Sequence, residues 1–257
     1  MNYHVLTLFP EMFNSYFNES IIARAIESKI IEINIYNIRD YSIDKNKKVD
    51  DRPFGGGPGM IISVDPVIKC IDSVVEKINS GHILKQVSKI KIIMFSPGGV
   101  NFNTSIAKDV VKDCTDIIFI CGRYEGVDSR VIDICKDNNL DIEEWSIGDY
   151  VLTGGELPAM VCIDSISRQV SGVLGKFESL EEERVSSHKF YTRPPVYEYE
   201  SKQSGYNLDI AKNSKIKTII KKVVNKFVKT EKRSYPVPEV LISGNHKLID
   251  EWKNNNQ

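Results

Sequence analysis

The sequence predicts an α/β fold on a mostly parallel sheet. Short apolar runs alternate with helix-like stretches as far as residue 165, and glycine clusters sit where the runs end. His4–Phe9 is the first strand, and Ser20–Lys29 follows as a helix. Ile31–Ile38 is the next strand and Ser63–Ile78 the next helix. Ile90–Phe95, Thr104–Lys112 and Ile117–Cys121 continue the series as strand, helix and strand. Val161–Val173 reads as a further helix, whereas the polar stretch Gly175–Arg193, ending in Tyr191-Thr192-Arg193-Pro194-Pro195, reads as an exposed connector. Beyond it Ile216, Ile219, Ile220, Val223, Val224 and Phe227 recur at helical spacing among lysines, which gives one amphipathic, strongly basic helix.

With 257 residues, 41% hydrophobic and 27% charged, the chain can bury one large core and a smaller one. It has no run of about 18 apolar residues that could span a bilayer. Its start, MNYHVLTLF, lacks the basic region and cleavage site of a signal peptide, so a cytoplasmic protein is expected. Cys70, Cys114, Cys121, Cys135 and Cys162 form neither a CxxC pair nor a metal-ligand pattern with the four histidines, so reduced and mostly buried thiols are expected. The net charge of −1 hides an asymmetry: Tyr197–Tyr235 holds ten basic residues against four acidic ones. A polyanion has its place to start there.

Eleven of the 16 glycines fall in four clusters between residues 55 and 155. The run Val49–Met60, VDDRPFGGGPGM, has four glycines in five positions, which suits a backbone that bends sharply or approaches a partner closely. Ser96-Pro97-Gly98-Gly99 and Gly122-Arg123-Tyr124-Glu125-Gly126 follow the strands IKIIMF and DIIFIC. Ligands of open α/β sheets bind outside such strand ends. Neither loop spells GxGxxG opening a helix, and no GxxxxGK[ST] occurs, which disfavours a dinucleotide site or a P-loop.

Seven strings converge on one family. LFPEMF (Leu8–Phe13), VDDRPFGGGPGM, SPGG, CGRYEGVDSRV (Cys121–Val131), EEWSIGDYVLTGGELPAM (Glu143–Met160), YTRP (Tyr191–Pro194) and VPEVLISGNH (Val237–His246) resemble those of the bacterial tRNA (guanine-N1)-methyltransferases, in that family's order. The resemblance implies a SPOUT-class, trefoil-knotted parallel sheet flanked by helices, with a small, mainly helical C-terminal domain. It divides the chain into a knotted S-adenosylmethionine-binding catalytic domain at 1–163, an interdomain helix and flexible linker at 164–196, and a basic C-terminal domain at 197–257. It also implies a homodimer with shared active sites. Methyl transfer from S-adenosylmethionine would go to N1 of the tRNA guanine immediately 3′ of the anticodon, position 37, a modification that maintains the reading frame.

Carried over by motif, the donor pocket takes Pro97 and Gly99 from one loop and Gly122, Tyr124, Glu125 and Gly126 from a second. A third supplies Ser146, Ile147, Gly148, Asp149, Tyr150, Val151 and Leu152, with Gly154, Gly155 and Pro158. Guanine N1 carries a proton at neutral pH, so the reaction needs a general base and a group to hold charge developing on O6. Arg168 matches the family's arginine, suited to O6 by its fork of donors. For the base the family places an aspartate eight residues after GVLG, where this chain has Glu183, with Glu182 as a close competitor. The loop from there to YTRP is shorter than usual. A magnesium ion could sit at Glu125 with Asp128, although both acids also suit pairing with Arg123 or Arg130.

Two departures stand out. A lysine-rich stretch is inserted between YTRPPVY and VPEVL, and the chain stops soon after GNHKLIDEW, where the family continues into helices that grip tRNA. The basic helix Lys215–Lys229 is expected to substitute by contacting phosphates. Two alternatives follow from the departures: a catalytically weakened tRNA-binding relative, and a methyltransferase redirected to another RNA site.

Overall fold

A computed structural model of the protein describes residues 1–81, 89–175, 189–202 and 230–256. The chain forms two compact units, Met1–Leu180 and Glu181–Gln257. In the first, the elements run β1 (Asn2–Thr7), α1 (Asn14–Phe17), α2 (Ser20–Glu27), β2 (Glu32–Asn37), β3 (Asp50–Asp51) and β4 (Ile61–Ile62). They continue with α3 (Val64–Gly81), β5 (Ile90–Asn101), α4 (Thr104–Asp113), β6 (Asp116–Ile120), α5 (Arg130–Asp137), β7 (Ile142–Ser146) and α6 (Glu156–Gln169). Five strands make one sheet in the order β2-β1-β6-β5-β7, and every pairing in it is parallel.

The central strands carry long apolar runs because helices cover both faces of the sheet. Alternate residues of each strand feed two cores. Tyr3, Val5, Ile117 and Phe119 face Phe13 and Phe17, Ala25 of α2, Ala107 of α4 and Cys162, Ile163 and Ile166 of α6. Leu6, Ile92, Ile118 and Ile120 face Val67, Ile71 and Val74 of α3 and Val131 of α5. Cys70, Cys121, Cys135 and Cys162 are buried and Cys114 is half-buried, all of them free thiols. Burial pushes the Cys135 thiol up to about 11 and the Cys70 thiol up to about 12, so neither is reactive near neutral pH.

Three local departures from the sequence expectation have clear causes. β5 does not stop at Phe95: Ser96–Gly99 is a bulge within it, across which both Phe95 and Val100 pair with Trp145. Helix α6 starts at Glu156 rather than Val161, since Pro158 falls in its first turn, where a missing N–H costs nothing. It runs unbroken across residue 163 and ends at Gln169. β7 went unread because Glu143 and Glu144 are exposed and only Ile142, Trp145 and Ser146 are buried.

In the second unit β8 (Val196–Lys202) and β9 (Thr230–Pro236) pair antiparallel. They are followed by α7 (Glu239–Ile242) and α8 (His246–Asn254), the latter capped by the Asn245 side chain, which accepts from Leu248 N. The aromatic rings of Tyr191 and Trp252 meet edge to face at 6.2 Å. The basic helix expected over Lys215–Lys229 lies outside the described residues, as do Glu182 and Glu183. No helix among the described residues is long and apolar enough to cross a membrane.

Candidate functional site

The bulge in β5 and the loops leaving β6 and β7 meet at the C-terminal edge of the sheet, where the segment after β7 lies directly on the segment after β6. Gly155 N donates to Gly122 O at 2.9 Å, and Arg123 bridges Gly154 in antiparallel fashion. Only glycine allows this approach. A Cβ on Gly155 would stand 2.7 Å from Cys121 Cα, and one on Gly154 would stand 2.4 Å from the Arg123 side chain. Gly99 has the same kind of role, its notional Cβ falling 2.6 Å from the Glu144 carbonyl. These three glycines serve chain-on-chain contact. Gly126 is required by its backbone instead: its φ of +124° is one that side chains rarely adopt, and its N–H donates to Arg123 O at 3.0 Å.

The pocket between the loops takes Pro97 from the first. The second gives Gly122, Tyr124, Glu125 and Gly126, and the third gives Ser146, Ile147, Gly148, Tyr150, Val151 and Leu152 together with Gly154, Gly155 and Pro158. Gly99 and Asp149 fall outside the lining: Gly99 turns its Cα onto the backbone of β7, and Asp149 is an exposed turn residue. The third loop is tied to itself. Ser146 Oγ donates to Gly148 O at 3.0 Å, and Tyr150 OH donates to Ile147 O at 3.2 Å. Ile147, Leu152 and Pro158 give apolar walls and the glycines give open backbone, a combination that fits a nucleoside with a charged tail.

The sequence reading missed Phe95, Ser96, Arg123, Trp145 and Thr153 in the lining. Arg123 is the consequential omission. Its Nε lies 2.8 Å from Glu156 Oε2, its guanidinium sits 4.6 Å from the centre of the Phe9 ring, and its Nη1 donates to Thr153 O at 3.3 Å. Glu156, only 1% exposed, also accepts from Thr7 Oγ1 at 2.8 Å. Arg123 Nε and Glu156 Oε2 are close but not aligned as a hydrogen bond, so the pair is Coulombic. The available signal was position: Thr7 closes an apolar strand, and Glu156 opens a helix directly after Gly154-Gly155.

The loop between β3 and β4 is strapped to the second pocket loop. Glu125 N donates to Met60 O, Ile62 N to Gly126 O and Asp128 N to Ile62 O, each at 3.0 Å. Asp128 is held bidentate by Arg130, with contacts of 2.9 and 2.6 Å, and this guanidinium keeps its carboxyl below the usual carboxylate range. The choice left open in the sequence is thereby settled for the pairs: Asp128 with Arg130, Arg123 with Glu156. No group of three or more His, Cys, Asp or Glu side chains placed for a metal occurs among the described residues.

Arg168 lies in the last turn of α6, half-buried and outside the pocket lining. It makes no hydrogen bond or ion pair among the described residues, which leaves its donors available. The preceding Ser167 is fixed by a 2.9 Å hydrogen bond with Tyr3 OH deep in the core. The described residues therefore gather one predicted pocket but do not bring Arg168 to it: α6 starts at the pocket, with Glu156 on Thr7, and ends at the opposite edge of the sheet, with Ser167 on Tyr3.

Known proteins match this chain over most of its length. The family model described as tRNA (Guanine-1)-methyltransferase TrmD matches residues 1–233. A tRNA (guanine-N(1)-)-methyltransferase of Clostridioides difficile is 43% identical over 258 residues, covering 98% of this chain and 90% of the relative. One from Clostridium botulinum is 44% identical over 257 residues, covering 98% and 85%. Another from Alkaliphilus oremlandii is 40% identical over 255 residues with the same coverage.

Proposed function

The chain belongs to the tRNA (guanine-N1)-methyltransferase family, and from that premise we infer what each part of the site contributes to its reaction. The protein is an S-adenosylmethionine-dependent enzyme that methylates N1 of guanine in tRNA, at position 37 beside the anticodon. The observation that carries the reading into the structure is the pocket built from the β5 bulge and the loops after β6 and β7. S-adenosylmethionine supplies an electrophilic methyl group, and Ile147, Leu152 and Pro158 would wall its adenine while the glycines of the lining, having no side chains, let it lie close to the backbone.

In this reading Arg168 holds guanine O6, stabilising the charge that builds there as N1 loses its proton. Its lack of a partner among the described residues supports the role. Glu183 takes the N1 proton, with Glu182 as the competing base; both lie outside the described residues. Pro97, Gly122, Tyr124, Glu125, Gly126 and the third loop form the donor site, while Gly99 acts from behind it. A magnesium ion, if the reaction uses one, would be held at Glu125, the carboxylate of the lining, with Asp128 already engaged by Arg130.

A knotted homodimer in the cytoplasm completes the proposal. Leu157, Val161 and Asp164 share one face of α6, where Leu157 and Val161 are exposed beside Phe9, Met12 and Tyr16. Tyr16 OH donates to Asp164 at 2.6 Å, and this bond pushes the phenol up to about 12. Such an apolar, pre-ordered face suits a second copy of the chain.

The experiment is methyl transfer from labelled S-adenosylmethionine to an unmodified tRNA transcript, with the product nucleotide mapped. Label on N1 of guanine 37, absent when that guanine is replaced, is expected. Label on another nucleotide would identify a redirected enzyme. Donor binding with no transfer would identify a tRNA-binding relative.

A further inference from the structure

One face of the second unit carries side chains that the donor pocket and Arg168 leave unexplained. In the β8–β9 ribbon Tyr197 pairs with Tyr235 and Tyr199 with Arg233. Opposed residues of an antiparallel pair point to the same side, and so do residues two apart along a strand, which places these four together. Tyr197, Tyr199 and Tyr235 are 57%, 48% and 51% exposed, and Arg233 is exposed beside them. The other side of the ribbon carries the exposed Val196 opposite Pro236 at one end and charged residues beyond it, with Lys232 Nζ 2.7 Å from Glu200 Oε1 and Glu198 exposed next to it.

Three exposed phenol rings and a guanidinium on one side of a two-stranded ribbon have no core to bury. The face holds no aliphatic residue, unlike the apolar centre of a protein–protein interface. Its chemistry is that of base recognition: single-stranded nucleic acid is held by aromatic rings that stack on bases and by arginine. Same-side neighbours along a strand stand roughly 7 Å apart, which is the gap one inserted base fills. Charge agrees, since residues 203–229, which join the two strands, include seven lysines against one aspartate.

We propose that the Tyr197–Tyr199–Arg233–Tyr235 face of the β8–β9 ribbon is a stacking platform for unpaired bases of the tRNA substrate. The proposal rests on the tRNA methyltransferase reading above and adds a second contact surface to it, separate from the donor site. Stacking displaces no counterions, so the tyrosines contribute affinity without contributing salt dependence.

The test uses the full chain, an unmodified tRNA transcript and S-adenosylhomocysteine as a donor-site probe. Tyr197, Tyr199 and Tyr235 are replaced by Thr, which keeps strand propensity, and separately by Phe, which keeps the ring. Each Thr variant is expected to bind tRNA roughly tenfold more weakly, with the salt slope unchanged. The Phe variants should bind like the wild type, and S-adenosylhomocysteine affinity should stay constant throughout. Unchanged tRNA affinity in the triple Thr variant overturns the proposal, and so do equal losses in Phe and Thr variants. If that triple variant keeps its tRNA affinity but loses self-association in sedimentation, the face belongs to a second protein copy instead. Failure of the wild type to methylate tRNA would remove the enzymatic reading, while the tRNA-binding comparison would still decide this one.

Discussion

At the N-terminal edge of the sheet Asp116 Oδ1 accepts from Asn2 Nδ2 and His4 Nε2, both at 3.1 Å, and its Oδ2 accepts from Thr115 Oγ1 at 2.7 Å. At the C-terminal edge Glu156 accepts cleanly from Thr7 but meets Arg123 off-axis, leaving Arg123 Nε and Glu156 Oε2 without aligned partners. Both carboxylates are about 1% exposed and both fasten β1 to a neighbouring element. The difference teaches where each edge spends its polar groups. A fully satisfied buried cluster locks one arrangement of strands, whereas the Arg123–Glu156 pair sets the spacing of the loops that line the pocket.

The comparison breaks most visibly at Glu156. Glu156→Ala leaves the Arg123 charge largely buried and uncompensated, which should cost about 3–5 kcal/mol in denaturant unfolding and weaken donor binding with it. Arg168→Ala tests the chemistry from the far end of α6, which starts at this edge and ends beside Tyr3 at the other. It should lower the methyl-transfer rate about 10²–10³-fold while S-adenosylhomocysteine affinity stays put in calorimetry. Gly155→Ala, forced against the Cys121 backbone, should cost about 1–3 kcal/mol and loosen the pocket, whereas a similar cost at the opposite edge should leave the donor site untouched.

The opposite edge supplies the pH dependence. Burial opposes the charge on Asp116, but the hydrogen bonds from His4, Thr115 and Asn2 outweigh it and hold the carboxyl below its usual range. A lowered folded-state value means the stabilisation is complete above the ordinary carboxylate pKa of about 4. It is lost as pH falls through the folded-state value. Asp116→Asn should therefore flatten the acid limb of a stability-against-pH curve, the smallest of these effects.

The sequence made the central strands legible because parallel strands covered on both faces carry continuous apolar runs, as in Ile117–Ile120 of β6. It hid β7, an edge strand with two exposed glutamates, and the β8–β9 ribbon, whose alternation mixes tyrosine with charge rather than apolar with polar. The pocket loops were readable by resemblance because their glycines stand in fixed strings. Arg123 was not, because an arginine followed closely by Glu125 and Asp128 looks locally paired, and its partner Glu156 is brought in only by the return of the chain after β7. The rationale for Gly154 and Gly155 changed for the same reason: what they accommodate is another stretch of backbone and an arginine, both distant in sequence.

The most direct measurement pairs two conservative variants, Glu156→Gln and Asp116→Asn, in S-adenosylhomocysteine calorimetry and thermal unfolding. Both should lower Tm, and only Glu156→Gln should weaken the donor-site ligand. Equal loss of ligand affinity in both, or full affinity in Glu156→Gln despite its lower Tm, would contradict the claim that the Arg123–Glu156 pair positions the pocket.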